Sequence, residues 1–81
     1  MIIRGVHISQ WVTQASMTKL VRRLWPGTNV SVQSWGNRGE RRCRIYWSSG
    51  PSYDDMRALA DEIEAAVPPK AAITIECRRV D

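Results

Sequence analysis

The side chains best suited to contact chemistry in this 81-residue chain lie close together: Trp35, Arg38, Arg41, Arg42, Arg44 and Tyr46. Guanidinium groups meet phosphate or carboxylate through paired donors, and an aromatic ring beside them offers a surface on which a base can stack. Tryptophan, tyrosine and arginine are also the residues enriched at protein-binding hot spots. The plainer alternative is a solvated strand face on which arginine stems cover the aromatics. A second cluster is acidic: Asp54, Asp55, Asp61, Glu62 and Glu64 could show an anionic surface to a basic partner.

Catalytic groupings do not emerge. His7 is the single histidine, and its neighbours suggest no base or nucleophile. The stretch Gly36-Asn37-Arg38-Gly39 lacks the form of a phosphate-cradling loop, because a strand follows it and not a helix N-terminus. Cys43, Cys77 and His7 fall short of the four ligands of a structural zinc site. The sequence therefore predicts a non-enzyme with no metal and no cofactor.

The contact residues need a scaffold, and residues 28 to 50 supply it as a β-hairpin. Val30 and Val32 alternate with polar neighbours, then Cys43, Ile45 and Trp47 form an apolar set on the returning strand. Successive strand side chains alternate in direction, so Arg42, Arg44 and Tyr46 face away from that set. Before the hairpin, Met17, Leu20, Val21 and Leu24 follow the i, i+3, i+4, i+7 spacing of an amphipathic helix. Its start is open between Ser16 and Thr13 as caps, and Trp25-Pro26-Gly27 stops it.

After the hairpin, Ser52 can cap a second helix with buried stripe Met56, Leu59, Ala60, Ile63 and Val67, ended by Pro68-Pro69. Ile73, Ile75 and Cys77 then alternate with Thr74, Glu76 and Arg78 as a last strand. A further opening strand over residues 2 to 8 is plausible from its alternation. The expected class is α+β: an antiparallel sheet of three or four strands with two helices on one face, in the order (β)αββαβ. With the first strand present this would be the ferredoxin-like order.

Length and a 43% hydrophobic content fit one domain spanning residues 1–81, with a core thin enough that a homodimer would help it. Cys43 and Cys77 fall on apolar strand faces, where thiols act as small buried hydrophobes. Trp25 and Trp47 are expected in the core, and Trp35 and Trp11 are candidates for contact. No apolar run is long enough to span a membrane, and Met1-Ile2-Ile3-Arg4 is too short for a signal-peptide apolar region, so a cytoplasmic setting is expected. The net charge of +4 is unevenly spread. Residues 1–50 carry eight Lys and Arg against Glu40 alone, whereas residues 51–81 carry four against seven acids. Such a field steers an anionic partner to one side of the molecule.

The run LVRRLWPGTNVSVQSW, followed by RIYWSSGPSYDDMRAL, resembles the large polyvalent protein-associated domains of phages and other mobile elements. The shared pattern is a helix ending in aromatic-Pro-Gly, a strand of alternating valine and serine, then Trp47-Ser-Ser-Gly-Pro-Ser52 opening the next helix. It covers residues 17 to 63, beyond which the acidic helix end, the double proline and the last strand depart from the family. The resemblance implies a mobile-element origin and a non-enzymatic role. Short proteins of that provenance include anti-CRISPR proteins. The leading expectation is thus an inhibitor that acts in the host cytoplasm, binds a host nucleoprotein defence complex and blocks target recognition. Trp35, Tyr46 and the arginines, or Asp61 and Glu62 as anionic mimics, would make the contact. The alternative is a basic nucleic-acid-binding module using Trp35, Arg38, Arg41, Arg42 and Arg44. The RNA-recognition-motif signature is missing, since RRCRIYW has neither its glycine nor its phenylalanines.

Overall fold

The structure, a computed structural model, describes residues 13–37, 40–67 and 72–81. They form α1 (Gln14–Leu24), β1 (Asn29–Gly36), β2 (Glu40–Ser48), α2 (Tyr53–Ala66) and β3 (Ala72–Arg79). This is the expected α+β class, with two helices and a three-stranded sheet in the order αββαβ. The opening strand anticipated at residues 2–8 lies outside the described residues, as do His7, Trp11, Arg38 and the double proline.

Both candidate caps of α1 are used, because they bond to each other. Thr13 is the N-cap: its Oγ1 accepts from the Ser16 backbone N–H at 3.1 Å, while Ser16 Oγ accepts from the Thr13 N–H at 2.9 Å. Such a reciprocal box satisfies two backbone donors that a helix start otherwise leaves open. α2 repeats the device with Ser52 and Asp55, and Asp54 and Asp55 sit at its positive end.

β2 is the central strand. It pairs antiparallel with β1, placing Val30 opposite Trp47, Val32 opposite Ile45 and Trp35 opposite Arg42. It pairs in parallel with β3, placing Cys43 beside Ile75, Arg44 beside Glu76 and Tyr46 beside Arg78. This second ladder differs from the wholly antiparallel sheet expected. The reason lies in the connection: α2 carries the chain back along the sheet, so β3 starts at the same end as β2 and runs with it. The pairing also bears on the ferredoxin-like alternative. That order would insert the opening strand between the hairpin and the last strand, and here β2 and β3 are joined directly along their length.

Both helices pack on one sheet face. Met17, Leu20 and Val21 of α1 and Met56, Leu59, Ala60 and Ile63 of α2 share a core with Val30, Val32, Cys43, Ile45, Trp47, Ile75 and Cys77. Leu24, Trp25, Val67 and Ile73 close its margin. The strand periodicity of two and the helical stripe thus meet in a single layer between sheet and helices.

One end of this sandwich is locked around a turn. The fully buried Trp47 donates its indole N–H to the Pro51 carbonyl at 2.8 Å, and Tyr53 stacks on its ring with centroids 6.4 Å apart. Arg79 donates to the same carbonyl at 2.9 Å. Asp81 accepts from the Ser49 N–H at 3.0 Å and from Arg79 Nε at 2.7 Å. The turn needs such support because Ser49 has φ +61° and Gly50 φ +102°. A Cβ at Gly50 would also collide with Thr28 Oγ1.

Two outcomes follow for stability. Gly50→Ala combines the left-handed backbone with the Thr28 collision, and urea denaturation should show a loss of about 1 to 3 kcal/mol or more. The Asp81 carboxyl is held down from 3.8 to about 2, first by its bond from Arg79 and then by the Ser49 N–H. Its folded value is depressed, so its contribution is present above 3.8 and lost as pH falls to about 2. Unfolding curves of wild type and Asp81→Asn should separate above pH 4, with wild type the more stable, and converge as pH approaches 2.

Candidate functional site

The sheet face opposite the helices carries three cross-strand rows, set by the two registers. From the closed end to the hairpin tip they are Ser31–Tyr46–Arg78, Gln33–Arg44–Glu76 and Trp35–Arg42–Thr74. Among the described residues nothing packs over these rows. Trp35 is 41% exposed, which is high for so large an apolar side chain, and Arg42, Thr74, Glu76 and Arg78 are exposed with it. Arg44 and Tyr46, in the middle of the face, are half-buried.

Arg44 ties the face together. Its guanidinium lies 5.1 Å from the Trp35 ring centroid, and its Nε donates to Glu76 Oε2 at 2.7 Å. The bond to Glu76, with that carboxylate's charge and a smaller contribution from Tyr46, raises the Arg44 pKa, so the cation is permanent. Arg42 approaches the Glu40 carboxylate at 3.6 Å. Both pairs are largely exposed, and ion pairs of that kind are worth about 0 to 1 kcal/mol. They can be exchanged for a ligand at little cost.

At the hairpin tip, Trp35, Gly36, Asn37, Glu40 and Arg42 line an open pocket of about 320 Å³. The turn that shapes it is held by the Asn37 N–H donating to the Glu40 carbonyl at 3.0 Å and by the Glu40 N–H donating to Asn37 Oδ1 at 3.2 Å. Glycine is required at the strand end, since Gly36 has φ +110° and a Cβ there would press on the Glu40 carbonyl.

The structure therefore brings together Trp35, Arg42, Arg44 and Tyr46 from the sequence-derived set. Arg41 shares the strand parity of Cys43 and lies on the helix side of the sheet, half-buried. Arg38 is outside the described residues. The alternation also places Glu40, Glu76 and Arg78 on the open face. Their outward direction was readable, but their adjacency to particular β2 residues depends on a register that no local pattern encodes.

On the acidic face of α2, Asp54, Asp55 and Asp61 are exposed, and Asp61 shares one cation with Glu64. Arg57 donates to Asp61 Oδ1 at 2.8 and 3.1 Å and to Glu64 Oε1 at 3.2 Å. It also donates to the Ile75 carbonyl at 2.6 Å, while Glu64 accepts from the Ile75 N–H at 2.8 Å. The helix thus clamps the outer edge of β3, occupying backbone groups that an open edge would offer to another strand. Asp61 and Glu64 are committed to Arg57, and Glu62 is half-buried. Arg57 thus offsets one of the negative charges proposed for mimicry, while Asp54, Asp55 and Asp61 stay exposed.

Cys43 and Cys77 are buried free thiols, as their apolar positions predict. Burial, reinforced by the nearby Cys77, pushes the Cys43 thiol up to about 11, so it stays protonated at neutral pH and is a poor nucleophile. Burial raises Cys77 likewise. Among the described residues no group of His, Cys, Asp or Glu could hold a metal ion, and no helix is long and apolar enough to cross a membrane.

Comparison of the chain with protein-family models, curated proteins and solved structures finds no match. The likeness of residues 17 to 63 to the polyvalent-protein-associated domains therefore rests on the residues quoted for it.

The β3 clamp yields a measurable expectation. Glu64→Ala strands both the Ile75 N–H and one side of Arg57, and should cost about 1 to 3 kcal/mol in urea denaturation. Glu64→Gln keeps an acceptor and should cost less.

Proposed function

We propose that the protein is a non-enzymatic binding module that engages single-stranded nucleic acid across the open face of its sheet. The observation that carries this reading is the exposed Trp35 ring set between Arg42 and Arg44, with Tyr46 and Arg78 on the same face. Base stacking on an aromatic is worth about 1 to 3 kcal/mol, more than the exposed ion pairs that a strand would displace. Unpaired bases can reach a flat sheet that a duplex groove would not admit. The basic balance of residues 1–50 steers a polyanion toward the hairpin, which lies in that half of the chain.

A second reading uses the same face against protein. Glu40 and Glu76 leave it mixed in charge, and a mixed face with Trp and Tyr anchors suits a protein interface. That partner would be a host nucleoprotein defence complex in the cytoplasm, inhibited by occupancy, as the resemblance to mobile-element proteins implies. Arg57, shared by Asp61 and Glu64, offsets only one of the five acids on α2, so Asp61 and Glu62 remain the alternative, anionic mode of such inhibition.

Fluorescence anisotropy with labelled single-stranded RNA and DNA, followed over a range of salt, tests the first reading. Affinity should fall with salt, and Arg42→Ala combined with Arg44→Ala should flatten the log–log slope by about 0.7 per lost phosphate contact. An unchanged slope would overturn it. Recovery from host lysate of one effector complex that survives nuclease would instead favour the inhibitor.

A further inference from the structure

The hairpin-tip pocket deepens the nucleic-acid reading, on which this inference rests: we propose that it is a subsite selecting an unpaired guanine base. Four side chains meet there on the open face, in two cross-strand pairs. Trp35 stands opposite Arg42, and one step nearer the tip Asn37 stands opposite Glu40. Gly36 completes the lining.

The chemistry of these groups is asymmetric. Arg44 approaches the Trp35 ring from the body of the sheet, and the pocket opens from the same ring toward the tip. A base entering there stacks on the indole. Its edge then meets Glu40, whose carboxylate has two acceptor oxygens and no donor. Among the four common bases only guanine offers two adjacent donors, N1–H and the 2-amino group, on its Watson–Crick edge. Adenine and cytosine place an acceptor beside their amino group, and uracil and thymine flank one N–H with two carbonyls. A carboxylate therefore pairs with guanine through two parallel hydrogen bonds and sets a lone pair against an acceptor in every other base.

Arg42 fits the same ligand. Its guanidinium is 3.6 Å from Glu40, close enough to hold the carboxylate near the pocket, and it presents further donors to the adjoining phosphate. The Glu40 carboxylate is exposed, so its burden on binding is a modest desolvation. Glu40 also explains what a purely cationic face would not need, an acid on the strand otherwise richest in arginine.

The test compares labelled 12-mers of uridine, or of deoxythymidine, with the same strands bearing one central guanine, adenine or cytosine. Wild type should bind the guanine strands about tenfold or more tightly than the others, within the range of one bidentate base contact. Glu40→Gln should bring the affinity for the guanine strands down to that for the others, so that the preference falls toward unity. Trp35→Ala should weaken all strands together. Salt-dependent binding of equal strength to every strand would overturn the guanine subsite and leave the nucleic-acid reading standing. A guanine preference that survives Glu40→Gln would overturn the assigned role of Glu40 in the subsite. Absence of binding to any strand would overturn both readings.

Discussion

The buried indole of Trp47 fixes the geometry on which the rest depends. A tryptophan is welcome in a core only if its N–H finds an acceptor, and here the Pro51 carbonyl provides one. That bond joins the end of β2 to the turn before α2. Because Arg79 reaches the same carbonyl, the end of β3 is drawn to the same point. Val80 adds a backbone bond to the Trp47 carbonyl at 2.9 Å, continuing the parallel ladder past its last strand residue. The left-handed pair Ser49 and Gly50 is tolerated because Asp81 and Thr28 surround it. The end of β2, the turn after it and the end of β3 thus meet around the Pro51 carbonyl.

The placement of β2 decides the character of the two sheet faces. Its inward residues Cys43, Ile45 and Trp47 are fully buried, and its outward residues Arg42, Arg44 and Tyr46 are polar or amphipathic. As the central strand it has neighbours on both sides, so each outward residue gains two cross-strand partners. Arg44 accordingly sits between Gln33 and Glu76, and the diagonal Trp35 is near enough for a cation–π contact. The single core beneath gives this aromatic and charged face a rigid platform.

The outer edge of β3 is covered by side chains of α2. Arg57 and Glu64 reach from α2 to both backbone groups of Ile75, so a helix face that could have served only solubility also guards an edge. Arg57 remains charged in this half-buried place because its bonds to Asp61 and Glu64 outweigh desolvation. The pair Arg44–Glu76 joins the basic first half of the chain to the acidic second half. Carboxylates of the second half serve arginines within the structure, at Arg57 and at Arg44, as well as facing solvent.

The sequence by itself determined the elements and their faces. Helical spacing marked Met17, Leu20 and Val21, alternation marked both sides of β2 and β3, and Ser52 marked the start of α2, because these are consequences of local periodicity and local hydrogen bonding. It also picked out Trp35, Arg42, Arg44 and Tyr46 as neighbours, since a hairpin keeps its register close to its turn. The tertiary structure alone decided that β3 runs parallel beside β2, that Glu76 meets Arg44, and that Arg57 and Glu64 reach the backbone of Ile75. Those contacts join residues far apart in sequence, and their partners are chosen by how helices and sheet pack, for which no local pattern carries a signal.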